Sequence, residues 1–204
     1  MTVKTEGRQN MIKRRQKNNT LPLVIAIIVI AALIIGLGGY YVYTVYIERS
    51  HPLEYQGYVE KYSKEYNVDK YLVYAVIKTE SGFNKDALSN VGARGLMQIM
   101  EDTFDWIKFR MGDTETAFFD MYVAETNIKY GCWFLGYLTE EFGNVEAVAA
   151  AYHAGRTRVH EWLDNKEYSK DGVHLDEIPS SDTAHYVSKI TKAMDTYIKL
   201  YDKK

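Results

Sequence analysis

The chain has 204 residues, with 25 lysines and arginines against 27 aspartates and glutamates, for a net charge of −2. That length holds one ordinary domain plus an appendage, and the near-neutral balance lacks the basic excess that a nucleic-acid surface requires. The single cysteine, Cys132, excludes an intramolecular disulfide, so the fold rests on its core.

Residues 1–20 are polar and carry six basic side chains (Lys4, Arg8, Lys13, Arg14, Arg15, Lys17) against one acid, Glu6. LPLVIAIIVIAALIIGLGGYYVY, residues 21–43, follows without a charge. A membrane-spanning helix needs about 20 apolar residues, and the run has no polar face of the kind that a core helix shows. A cleaved signal peptide has a shorter apolar region, about 7–15 residues, and a small-residue cleavage site. Here Tyr40, Tyr41, Tyr43 and Tyr46 form an interfacial aromatic belt instead. The expected organisation is a basic cytoplasmic tail over 1–20, a transmembrane helix over 21–46, a short connector over 47–54 and one domain over 55–204. The basic flank keeps the N-terminus cytoplasmic. The expected localisation is therefore the cell membrane, single-pass, with the domain periplasmic or extracellular. Without the +5 of its tail, the rest of the chain carries about −7.

The domain reads as predominantly α. Tyr55, Tyr58, Val59 and Tyr62 recur at helical spacing within Leu53–Tyr66. Asp69 is placed to cap the next helix, which runs through YLVYAVIKTE. Further helices are expected over 102–111, about 120–142, 144–153, 156–164 and 182–202. Gly143, Gly155 and Gly172 fall between them. Alternating strands are missing, and short extended pieces fit residues 88–99.

Leu72, Val73, Val76 and Ile77 form an apolar stripe, and the next position on it is Glu80. An ionised Glu is rarely buried without a partner. Such a carboxyl either turns to solvent at the helix end or sits at a cleft with a raised pKa, the property of a general acid. Gly92, Ala93, Arg94 and Gly95 follow, a backbone able to turn tightly. Leu96 to Met100 then set one amide, Gln98, among apolar neighbours, where it must find hydrogen bonds. Farther on, Tyr152 and His153 stand among small residues before Gly155, and Tyr186 lies inside the last helix.

Taken together, these segments resemble the soluble lytic transglycosylase family, relatives of goose-type lysozyme. Its markers are a Glu-Ser pair, Gly-Leu-Met-Gln, Ala-Tyr-Asn-Ala-Gly and a late Glu-Thr-Arg-x-Tyr-Val. Glu80 and Ser81 match the first, and Gly95, Leu96, Met97 and Gln98 the second. Ala151, Tyr152, Ala154 and Gly155 match the third, with His153 where Asn is usual. Thr183, Tyr186 and Val187 match the fourth, with Asp182 for Glu and Ala184 for Arg. ETNIKYGCWFLGYL is similar to the family's central helix.

The resemblance implies a lysozyme-like α domain, with little or no β, that cleaves the β-1,4 bond between N-acetylmuramic acid and N-acetylglucosamine in peptidoglycan. It implies Glu80 as single general acid and base, closing a 1,6-anhydro ring. Tyr186 would bond or hold the Glu80 carboxyl. Ser81, Gln98, Tyr152 and His153 would line or support the cleft, and the Met97 backbone would contact sugar. Each also has a structural reading: Ser81 as a cap, Gln98 as a partner for backbone, and Tyr152 and Tyr186 as core tyrosines. No cofactor is expected, and no ligand cluster has metal spacing. The expected partners are glycan strands, the membrane and, through it, envelope machinery such as a secretion or conjugation apparatus. A hydrolytic muramidase on the same fold and a non-catalytic glycan-binding scaffold are the alternatives.

Overall fold

A computed structural model describes residues 20–202, so the expected basic tail lies, Thr20 apart, outside the described residues. Two compact units divide between Ser50 and His51.

In the first unit, α1 spans Thr20–Ser50, 31 residues with none buried. It is long and apolar enough to cross a membrane. The helix runs four residues past the expected end at 46, into the expected connector. Nothing breaks it before Pro52, which disfavours helix at the residue ahead of it. Arg49 in its last turn suits the negative end of the helix dipole.

The second unit is helical, as the periodicity predicts: α2 (Gln56–Glu65), α3 (Lys70–Ser81), α4 (Glu101–Met111), a 3₁₀ turn (Phe118–Tyr122), α5 (Ala124–Phe142), α6 (Val145–Ala154), α7 (Arg156–Asp164) and α8 (Ser181–Tyr201). The Asp69 carboxylate accepts from the Tyr71 amide at 2.7 Å and so caps α3, and Asn144 and Ser180 do the same for α6 and α8. The helix expected over about 120–142 is two elements. Asp120 accepts from the Ala117 amide and closes the 3₁₀ turn, and Val123 takes an extended conformation before α5 begins. The extended pieces expected at 88–99 are two isolated bridges, Leu88 with Arg94 and Arg94 with Ile99.

The core lies where α3, α5, α6 and α8 converge, α3 and α6 both packing on α8 and α6 also on α5. Residues 71–77 are all buried, so α3 is covered all round. Five successive residues of α6, Ala147 to Ala151, are buried, four of them alanines, and their small size lets neighbours approach closely. Cys132 is fully buried, and burial pushes its thiol pKa up. The tyrosines at the end of α8 bind the start of the unit: Tyr197 donates to the Pro52 carbonyl at 3.2 Å and Tyr201 to that of His51 at 2.7 Å.

Candidate active site

Helix α3 ends at Gly82, in the left-handed region at φ 57°, which leaves Glu80 in the last turn. The carboxyl continues the apolar stripe and is half-buried. Its Oε1 accepts a 2.7 Å hydrogen bond from the Tyr186 hydroxyl, 106 residues away on α8. Burial raises the Glu80 pKa from 4.5 to about 7 against the opposing pull of that hydroxyl, and no other carboxylate contributes to the rise. Tyr186 is itself buried, and its hydroxyl pKa is held well above 10 by burial and by Glu80. This hydroxyl therefore stays protonated, and a donor to Glu80, across the neutral range in which Glu80 titrates.

His153 adds a third member. Its ring stacks on Tyr186 at 4.6 Å and 28°. Nδ1 lies 3.1 Å from Thr183 Oγ1, which donates its own proton to Ser180 Oγ. His153 is thereby tied to the start of α8 through Thr183. Burial lowers the His153 pKa, with the Asp182 charge opposing it.

A second cluster is built on the segment after α3. Ser81 Oγ donates to the Leu96 carbonyl at 2.8 Å and so ties the end of α3 to this loop. Asn127, fully buried on α5, accepts from the Met97 amide at 2.8 Å and donates to the carbonyls of Met121 and Arg94 at 2.9 and 3.0 Å. Gly95 sits at φ 76° with its Cβ direction aimed at the Met121 carbonyl and Asn127, so no other residue fits there. The Tyr152 hydroxyl donates to the Met97 carbonyl at 2.7 Å, and burial holds its pKa well above 10.

The structure adds detail at two of the expected positions. The Met97 amide is taken by Asn127, which leaves its carbonyl as the backbone group with spare capacity. Gln98 adopts φ 48°, and its Nε2 donates to the carbonyls of Gly95 and Ala87 at 2.9 and 3.2 Å. The amide nitrogen thus holds the loop. Asn127 was missed in the sequence, although an amide between Thr126 and Ile128 in an apolar helix is the signal that would find it. Asp86, Glu101, Asp102 and Asp105 are exposed, and Asp86 pairs with Lys85 at 2.7 Å. Among the described residues, no three His, Cys, Asp or Glu side chains are grouped to hold a metal ion.

Residues 57–174 match the transglycosylase SLT domain. The chain belongs to that family. Relatives of this SLT domain include the soluble lytic murein transglycosylase of Salmonella typhimurium, 35% identical over 156 residues, which cover 74% of this chain and 24% of the relative. Membrane-bound lytic murein transglycosylase C of Sodalis glossinidius is 29% identical over 174 residues, which cover 74% of this chain and 48% of that one. The 70-kDa soluble lytic transglycosylase of Escherichia coli superposes with a TM-score of 0.68 at 28% identity, over 76% of this chain and 25% of that one. The chain spans about a quarter of the length of the soluble relatives. The lysozyme-like α domain expected from the motifs is therefore the fold this SLT domain has.

Proposed function

We propose that this SLT domain is a peptidoglycan lytic transglycosylase anchored in the membrane by α1, with Glu80 as its one acid and base. The observation that carries the reading is a half-buried carboxyl whose pKa burial raises to about 7, with no other carboxylate among the described residues contributing to the rise. Glycosidases of the two-carboxylate kind set the second acid about 5–9.5 Å from the first, to attack the sugar or to activate water. With Glu80 alone, the substrate supplies the nucleophile. Protonated Glu80 gives its proton to the bridging oxygen as the bond to the muramoyl C1 breaks. The resulting carboxylate takes the C6 hydroxyl proton as O6 closes on C1, a step helped by the high effective concentration of a tethered group. Bonds broken and formed balance without water, and Glu80 ends protonated again.

Tyr186 positions the carboxyl, and His153 packs behind Tyr186. Ser81, Tyr152 and Gln98 hold the Met97 segment beside it. Anchoring is supported by the length and composition of α1 and by the similarity to a relative named as membrane-bound. Mass spectrometry of a wall digest tests the reaction: 1,6-anhydromuramoyl ends, one water lighter than hydrolysis products, are expected. Reducing ends carrying ¹⁸O from labelled water would replace this reading with a muramidase.

A further inference from the structure

Helix α5 carries a second feature away from Met97. Trp133 and Tyr137, one turn apart, stack at 5.6 Å and 18°, and Trp106 meets both edge-on at 5.7 and 5.1 Å. The Arg156 and Arg110 guanidinium groups lie over the Tyr137 ring at 4.7 and 5.4 Å, and Arg156 is in turn fixed by Glu141. These rings are braced, yet Trp133 and Tyr137 are not closed over. Both remain half-exposed and line a recess of about 220 Å³ together with Glu65, Tyr66, Asn67 and Glu140. The recess exists because α2 runs up against α5 at Gly136, where a Cβ would strike the Tyr66 carbonyl. Positions 131 and 133 of a helix point about 200° apart. Gly131 faces the Met97 side chain, so Trp133 presents a different side of α5.

The lining has a definite chemistry. Its walls are aromatic, its polar groups are two carboxylates and an amide, and no lysine or arginine lines it. Aromatic faces stack on the C–H face of a pyranose, and carboxylate and amide oxygens accept from its hydroxyls. The volume lies below the roughly 300 Å³ at which drug-sized pockets begin, which leaves room for one ring. A recess of this size holds one ring without a bulky substituent, so a muramoyl unit, whose lactyl group carries the stem peptide, is disfavoured against N-acetylglucosamine.

We propose that this recess is a second saccharide site, binding a neutral N-acetylglucosamine unit of the wall apart from the Glu80 cleft. The choice of a glycan as ligand rests on the function proposed above. A second grip on a polymer raises the effective concentration of the strand at the cleft without new contacts there.

The test uses the full chain in detergent micelles. With Glu80→Gln to stop turnover, calorimetric titration with chitotetraose, a neutral oligomer, is expected to show two sites per chain. One site should remain in Trp133→Ala. The same loss is expected in Glu65→Ala/Glu140→Ala, whose exposed changes do not threaten folding. In the active chain, Trp133→Ala should cut short soluble muropeptides at the normal kcat/KM yet digest intact sacculi about tenfold or more slower. An unchanged number of sites in both variants overturns the proposal. Two sites in a chain that releases nothing from walls would sink the proposed reaction and leave this site standing.

Discussion

At the scale of the residue, Glu80 is held against its own ionisation. Its folded pKa, about 7, lies above the ordinary 4.5, so between those values the folded chain binds the proton more tightly than the unfolded one. Stability therefore falls as pH rises from about 4.5 to about 7. Glu80→Gln removes that penalty. At pH 8 it should stabilise the fold by on the order of 1–3 kcal/mol, a gain that vanishes by pH 4, as paired thermal melts will show. The same change should cost 10²- to 10⁴-fold or more in wall lysis. Near-normal turnover would end the assignment of Glu80. Tyr186→Phe makes a separate claim. The lost hydrogen bond lowers the Glu80 pKa in the native chain, so its removal should move the alkaline limb of the kcat/KM profile to higher pH. The maximum should fall about tenfold to a hundredfold, the worth of one hydrogen bond to a charged group. An alkaline limb that stays put would separate Tyr186 from the ionisation of Glu80.

At the scale of the element, the site depends on α5 as much as on α3. Asn127 satisfies the Met97 amide and two carbonyls in a place closed to water. Asn127→Ala leaves all three unpaired, each at about 1–3 kcal/mol. A loss of about 3 kcal/mol or more in denaturant unfolding is expected, with disorder centred on residues 94–99 in hydrogen exchange. A change below 1 kcal/mol would mean that the loop is held by the Ser81, Tyr152 and Gln98 contacts instead. Periodicity located α3, α6, α7 and α8 to within a residue or two, because amphipathic spacing and caps are local. The break at Val123 escaped it, because a 3₁₀ turn keeps helix-like spacing and its end is set by Asp120 reaching back to Ala117.

At the scale of the whole molecule, the proposal joins a cutting domain to a membrane segment. Six basic residues stand ahead of α1 against one acid, which sets the N-terminus in the cytoplasm if α1 crosses the bilayer. Protease added to spheroplasts should then digest the domain and spare the tail. A protected domain, or a mature N-terminus near residue 45, would overturn this topology.

The sequence by itself determined what neighbours along the chain decide: the helical class, the Asp69 cap, the uncharged run of α1 and the presence of a carboxyl on an apolar stripe at Glu80. It also held the four ordered motifs that mark the family. What Glu80 is bonded to was decided in the tertiary structure, because the Tyr186 hydroxyl is 106 residues distant in sequence. The raised pKa is likewise tertiary, since desolvation is the joint product of every element packed around the carboxyl. The inward turn of the Gln98 amide and the capture of the Met97 amide by Asn127 have the same origin. A polar group carries its capacity to bond in its chemistry, but its partner is chosen only when distant segments are brought within 3 Å of it.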